Sequence, residues 1–478
     1  MEGISNQWKA MSWTQKSRFS LHVLSTDMPR IDFEWLDPRH ERMETKLRSL
    51  AKEKKYRVDC LSDVCSRIFN GKTSEEYVST GVPIIKLRNV TNEGLNWNSD
   101  FVIRQFYDEN PECHVEMDDV LVTATGDGTI GRSDMVDREG AMIAVDVVAL
   151  RASQKIHPSY LLHYLRSVFG RMQFDRFTVG STGQTHLKNI DKFLIIYPEN
   201  KDEQLQKVKI ADECMTKALQ KREEYATEKI EAKINLVPES SKFETKKFYL
   251  KTLSIDERRF DFEYHNPLHS RLQKEIEHLE REGYVKETLG ILCQVFRGKT
   301  AKIYVSVGVP IIKLRNVTGE GIDWDTDFVL RPFFDRNPDL HLKKNDVLLT
   351  STGDGTIGRV DMLDKETECV SDGHVTVLRI MDEKKHELDP FYMNFYLRSS
   401  FAQKQFNRFT VGSTGQTELN EDYIQDVVIV FPKSSQDQKK FADSAYNHEN
   451  KSLTAKKEYL ENVELSKTEF VKSLGFMS

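Results

Sequence analysis

Gly71 to Thr91 reads GKTSEEYVSTGVPIIKLRNVT, and Gly298 to Thr318, 227 residues further on, reads GKTAKIYVSVGVPIIKLRNVT, with 17 of the 21 positions identical. A match of this length at one fixed offset marks a duplicated structural unit, and it decides the architecture before any single element is assigned. Working outward, TGDGTIGR recurs at the same offset, at Thr125–Arg132 and Thr352–Arg359. RFTVGSTGQT recurs at Arg176–Thr185 and Arg408–Thr417, five residues further apart than the earlier blocks, which places an insertion in RIMDEKKHELDP relative to RASQKIHP. Upstream, RIDFEWLDP at Arg30–Pro38 mirrors RFDFEYHNP at Arg259–Pro267.

These matches predict tandem domains: an N-terminal extension over 1–18 that matches nothing in the second half, a globular domain over 19–199, a helix and linker over 200–240, a second globular domain over 241–433 and a second helix over 434–478. The polar stretch VPESSKFETKK carries the join. Within each half, VPIIKLRNV, DVLVTAT and FLIIYP are short β-branched runs suited to buried strands, and SYLLHYLRSVFGRMQF reads as one amphipathic helix. The globular domains are therefore α/β (α+β).

From Lys201 to Leu236 there is neither proline nor glycine, and Leu205, Val208, Ala211, Met215, Ala218, Leu219, Ile230 and Ile234 recur at helical spacing; Gln436 to Leu474 behaves likewise. A helix of that length would run about 54 Å. Its narrow apolar stripe needs a partner helix, and one repeat cannot supply both. The simplest solution pairs the two helices as an antiparallel coiled coil, with the repeats related by an internal pseudo-twofold axis.

At 478 residues the chain is long enough for two or three domains, and 38% hydrophobic with 30% charged residues suits well-solvated helices. No apolar run approaches a membrane span and the first residues lack a signal-peptide core, so the expectation is a cytoplasmic chain without membrane contact. The six cysteines, Cys60, Cys65, Cys113, Cys214, Cys293 and Cys369, form no CxxC pair, which points to buried free thiols rather than zinc or disulfides. A net charge of −6 argues against indiscriminate coating of nucleic acid but permits a segregated basic face.

Several motifs invite enzyme readings, and their context removes them. Gly126, Gly128 and Gly131 match G-x-G-x-x-G, but the following RSDMVDREG has no helix pattern to hold a pyrophosphate; Asp146, at the distance of a ribose-binding acid, aligns with His374 in the second copy. A tight hairpin turn is the better reading. The GKT at Gly71–Thr73 and Gly298–Thr300 lacks the earlier P-loop glycine, because Ser66 and Cys293 stand there. No DPPY-like or NPPY-like motif, HExxH or GxSxG is present, so no catalytic or metal-binding residue is expected in this chain.

What does repeat is polar and basic. Lys72 recurs as Lys299; Lys86, Arg88 and Asn89 as Lys313, Arg315 and Asn316; Asp127, Thr129 and Arg132 as Asp354, Thr356 and Arg359; Arg176, Ser181, Thr182 and Gln184 as Arg408, Ser413, Thr414 and Gln416. Arginine, asparagine and glutamine make bidentate contacts to base edges, while lysine, serine and threonine commonly hold phosphates. All twenty-two are candidate DNA contacts.

Taken in order, VPIIKLRNV, GDGTIG, GSTGQTHL and YPENKDEQ with Glu203 and Gln204, the last matched by FPKSSQDQ with Asp437 and Gln438, resemble the specificity subunits of type I restriction-modification systems. The resemblance covers nearly the whole chain, though the two domains are more alike than is usual in that family. It implies that each domain is a target-recognition domain reading half of a bipartite double-stranded DNA target, that the paired helices set the gap, and that the chain docks two methyltransferase subunits and a motor-nuclease subunit. It further implies that S-adenosylmethionine, ATP and Mg belong to those partners. The close similarity of the copies predicts similar or identical inverted half-sites. Alternatives are a DNA-reading subunit of another methylation-linked phage-defence system, or a protein-binding scaffold without DNA specificity.

Overall fold

The computed structural model describes residues 37–180, 186–232, 267–353, 355–412 and 417–476. The N-terminal extension and the VPESSKFETKK join lie outside the described residues. Residues 1–219 with 460–478 form one compact unit, and residues 220–459 form the other. Both divisions fall inside long helices rather than at the repeat boundary.

The first unit runs α1 (Pro38–Lys54), β1 (Arg57–Cys60), α2 (Leu61–Val64), β2 (Cys65–Asn70), β3 (Val82–Ile85), β4 (Asp100–Val102), α3 (Arg104–Glu109), β5 (Val120–Thr123), β6 (Ser133–Met135), β7 (Met142–Ile143) and β8 (Val147–Ala152). It continues through α4 (Pro158–Arg166), α5 (Val168–Phe177), β9 (Thr178–Val179), β10 (His186–Leu187), β11 (Leu194–Tyr197) and α6 (Lys201–Glu231). A four-stranded sheet, ordered β2-β8-β5-β6, is covered on both faces. Val120, Val122, Val148 and Leu150 join a core with the helices, while Leu121, Val147 and Ala149 pack with Ile85 and Ile143 of a smaller sheet ordered β4-β3-β7. Successive side chains of a strand point to opposite faces, so cover on both sides explains why VLVT is buried throughout and runs Val-Leu-Val instead of alternating apolar with polar.

The second unit repeats this plan with α7 (Pro267–Arg281), β12 (Val285–Thr288), α8 (Leu289–Leu292), β13 (Cys293–Arg297), β14 (Val309–Ile312), β15 (Asp327–Val329), α9 (Arg331–Asp335), β16 (Val347–Thr350), β17 (Val360–Met362), β18 (Val370–Ser371) and β19 (Val375–Ile380). It ends with α10 (Pro390–Arg398), α11 (Ser400–Phe409), α12 (Glu421–Gln425), β20 (Val428–Phe431) and α13 (Ser435–Ser473). Its sheets are ordered β13-β19-β16-β17 and β15-β14-β18. The inserted loop holds a short 3-10 turn, Asp382–Lys384, between β19 and α10.

Two sequence expectations need correction. SYLLHYLRSVFGRMQF is two helices, because Ser167 leaves helical geometry and its hydroxyl accepts the N–H of Phe169 at 3.2 Å to start α5; Ser399 breaks the second copy at the same place. The long-helix stripe is also narrower than the periodicity suggests. Gln204, Val208, Ala211, Cys214 and Ala218 are the buried positions of α6, whereas Leu205 and Ile230 are exposed.

The helix pairing is visible inside each unit. In the first, Ser466 of α13 donates its hydroxyl to the Ala211 carbonyl of α6 at 2.8 Å, and Phe470 packs edge-on against Tyr160. In the second, Lys221 pairs with Glu458 at 2.8 Å and His448 with Glu228 at 2.6 Å. As residue numbers rise along α6 they fall along α13, the register of an antiparallel pair. The end of each long helix thus completes the unit built on the other repeat. All six cysteines are free thiols, and burial pushes those of Cys65, Cys293 and Cys369 up to about 12. Among the described residues no helix is long and apolar enough to cross a membrane.

Candidate nucleic-acid interface

Repeated blocks that are distant in sequence converge at one edge of each unit. In the first, Lys72 N–H donates to Ile143 O at 3.1 Å, Ala144 N–H to Ile85 O at 2.9 Å and Ala124 N–H to Asp146 O at 2.9 Å, while Thr125 bridges to His186. The second unit repeats the pattern through Lys299 and Ser371 (3.0 Å), Asp372 and Ile312 (2.9 Å), Ser351 and His374 (3.1 Å), and Thr352 and Glu418. The GKT glycine is required here by proximity: a Cβ on Gly71 would lie 1.8 Å from Ile143 O, and one on Gly298 would lie 2.0 Å from Ser371 O. GDGTIG is the connection of the antiparallel β5–β6 pair, and Gly126, Gly128 and Gly131 adopt φ of 91°, 69° and 78°, which a β-carbon disfavours.

A buried carboxylate fixes the loop after KLRN. Asp134 accepts the N–H groups of Thr91 (2.5 Å), Asn92 (3.0 Å) and Gly94 (2.8 Å) and pairs with Arg166 at 2.6 Å. Asp361 does the same for Thr318 (2.7 Å), Gly319 (3.0 Å) and Gly321 (2.8 Å), with Arg398 at 2.6 Å. These four residues were not among the candidates. Their signal was recurrence, of RSDM as RVDM and of YLRS in both copies.

The candidates themselves divide by environment. Asn89 and Asn316 are corrected from DNA contacts to structural residues. Each is buried; Asn89 accepts the Lys86 N–H at 2.9 Å and donates to Asn96 O and Asn98 O, and Asn316 accepts the Lys313 N–H at 2.9 Å and donates to Asp323 O and Asp325 O. The Thr129 and Thr356 hydroxyls are likewise engaged inside the turn, on Gly126 O and Gly353 O, both at 3.0 Å.

The cations lie further out. Lys86 sits 3.5 Å from the centre of the Tyr77 ring and 2.7 Å from Asp100, which also pairs with Arg88 at 2.7 Å; Lys313, Tyr304, Asp327 and Arg315 reproduce the group. The Lys86 ammonium, hydrogen-bonded to it, holds the Asp100 carboxyl below its ordinary range, and Lys313 does the same to Asp327. Lys72 and Lys299 are exposed and donate to Asn110 (2.7 Å) and Asn337 (3.1 Å). Asp127 is exposed at the turn tip, and Arg132 and Arg359 are partly exposed at its end. Arg176 approaches Glu44 at 3.5 Å and Arg408 lies beside the Phe409 ring, so these two sit on the helices rather than on the turn. Ser181, Thr182, Gln184, Asp354, Ser413, Thr414 and Gln416 lie outside the described residues.

Each α/β unit thus carries a glycine turn, a lysine-arginine segment and a lysine loop at one edge. The chain belongs to the type I restriction-modification DNA specificity family: the model of the type I restriction modification DNA specificity domain matches residues 53–227 and again residues 282–464. With two such domains it is a specificity subunit whose role is DNA recognition. No curated protein sequence matches the chain significantly. Among solved structures, it is similar to the S subunit of a type I restriction-modification system from M. genitalium, at 13% identity over 88% of this chain and 96% of that one, with a TM-score of 0.47. It is also similar to a chain from a structure of type I R-M complex assembly and conformational transition (14% identity, 88% and 98% covered, TM-score 0.44) and to the HsdS subunit of Thermoanaerobacter tengcongensis (14%, 88% and 97%, TM-score 0.31).

Proposed function

We propose that each unit reads one half of a bipartite double-stranded DNA target whose half-sites are similar and inverted, and that the chain carries no catalytic centre. It docks two methyltransferase subunits, and a motor-nuclease subunit completes the complex in the cytoplasm. S-adenosylmethionine, ATP and Mg serve those partners. Exposed lysines such as Lys72 and Lys299 hold phosphates, while Arg88, Arg132 and their counterparts Arg315 and Arg359 reach base edges. The methyltransferase gains access to its adenine by flipping it out of the duplex.

The observation that supports this reading is the recurrence of the same cations at the same fold positions in both units, around the same converged turn. Equivalent readers select equivalent sequences. Methylome sequencing of cells expressing the chain with its methyltransferase partners tests it. The expected result is methylation at an interrupted near-palindrome. Unrelated half-sites would remove the symmetry, and the absence of any sequence preference would remove the reading altogether.

A further inference from the structure

Besides the four substitutions inside the GKT to KLRN block, the two edges differ beside the glycine turn, and they differ there as a set. Thr125 and Thr352 occupy equivalent positions at the start of the glycine turn, and each is flanked by one acid and one histidine, in opposite order. In the first unit the Thr125 hydroxyl donates to Asp146 Oδ1 at 3.0 Å, and its backbone bridges to His186. In the second, the Thr352 hydroxyl lies 2.9 Å from His374 Nδ1, and its backbone bridges to Glu418.

Glu418 is engaged elsewhere, because Arg297 pairs with it at 2.5 Å. Arg297 stands where the first unit has Asn70: Asn70 pairs with Val148 and Arg297 with Thr376, and these partners lie at the same position of β8 and β19. The side chain bonded to the turn threonine's hydroxyl is therefore a carboxylate in one unit and an imidazole in the other.

Their hydrogen-bonding characters are opposite. Asp146 Oδ1 accepts from Thr125, and a carboxylate oxygen offers an acceptor. Where the proton sits on His374 Nε2, Nδ1 accepts from the Thr352 hydroxyl and Nε2 is left to donate outward, since the bond made by one ring nitrogen fixes the tautomer of the other. Asp372 Oδ1, 4.0 Å from Nε2, favours that protonated nitrogen. The His374 side chain is 58% exposed, and Asp146 is partly exposed.

We propose that Asp146 and His374 make the two readers differ at the base pair beside this turn, Asp146 selecting a base with an exocyclic amino group and His374 a base with a keto oxygen. In the major groove adenine and cytosine offer the amino donor, while guanine and thymine offer the keto acceptor. The inference rests on the DNA-reading function proposed above and sharpens it: at the position beside this turn, an amino base in one half-site corresponds to a keto base in the other.

The test uses the full chain in complex with its methyltransferase partners, selecting from duplex DNA randomised over both half-sites. The wild type should yield half-sites that include one position held by an amino base in the first and a keto base in the second. His374→Asp should switch the second half-site there to an amino base by about tenfold or more, and Asp146→His should switch the first to a keto base. Positions read by the unaltered unit serve as the folding control in the same molecules. His374→Ala, which only trims an exposed ring, should lose the keto preference. Half-sites of the same class at every position, or variants that still select DNA with that preference unchanged, would overturn the proposal. A complex that selects no sequence in either half-site overturns the underlying function instead, so the two failures are distinct.

Discussion

Gln204 Oε1 accepts the backbone N–H of His157 at 2.7 Å, tying the first turn of α6 to the start of α4. Its amide donates to Lys155 O at 3.0 Å and Pro198 O at 2.8 Å, and Gln438 repeats the arrangement with Asp389, Glu387 and Pro432, each at 2.8 Å. The glutamine is how a globular unit grips the root of its own long helix. Gln204→Ala removes the partner of three backbone groups, the buried Pro198 carbonyl among them, and should cost about 1–3 kcal/mol, read as a lower urea midpoint. A loss under about 0.5 kcal/mol, the range of ordinary surface changes, would show that the clamp does not hold the helix.

Arg166 should be harder to remove. Arg166→Ala leaves Asp134 buried without its counter-charge, a change that typically costs about 3–5 kcal/mol. Faster amide exchange at Thr91 to Gly94 should accompany the lower denaturation midpoint, because Asp134 holds the N–H groups of that loop. Unaltered exchange there would separate the ion pair from loop order.

Gly71→Ala places a methyl against the backbone of β7 and should destabilise the first unit by about 1–3 kcal/mol, the usual range for overpacking. Thermal unfolding of the single variant, compared with Gly298→Ala in the second unit, checks whether both close approaches matter equally.

Glu320 gives a pH signature in the second unit. Burial opposes its ionisation, but hydrogen bonds from Lys229, Lys456 and Tyr225 outweigh this and bring its carboxyl down to about 2 from 4.5. A lowered pKa in the folded state means that the stabilisation is complete above about pH 4.5 and fades as pH falls toward 2. The difference in melting temperature between wild type and Glu320→Gln should therefore be constant at neutral pH and shrink below about pH 4.5. A difference that grows on acidification would reverse the sign and reject the assignment.

Lys72→Ala and Arg132→Ala separate phosphate holding from base reading under the proposed function. Lys72→Ala should weaken binding to all sequences alike and reduce the salt slope by about 1, whereas Arg132→Ala should relax one half-site. Binding measured across salt and across base-substituted duplexes distinguishes them.

The duplication, the strands VPII, VLVT and LIIY, the glycine turn and the two long helices are legible in the sequence because each rests on short-range periodicity or on direct self-match. The lysines and arginines at the reading edge are legible too, since they recur. The role of Asn89 is not: the same side chain that suits adenine is spent on the 3-10 turn, and only the nearby carbonyls of Asn96 and Asn98 reveal it. Asp134 and Arg166 recur as well, but their pairing across 32 residues was illegible for the same reason.

By itself, then, the sequence determined how many units there are, which elements build them and that each long helix needs another. Tertiary structure decided which polar side chains are free to meet a ligand, because that depends on partners brought close by folding rather than on neighbours in the chain. It also turned Asp146 and His374 from an imperfect alignment into two different groups beside the same threonine.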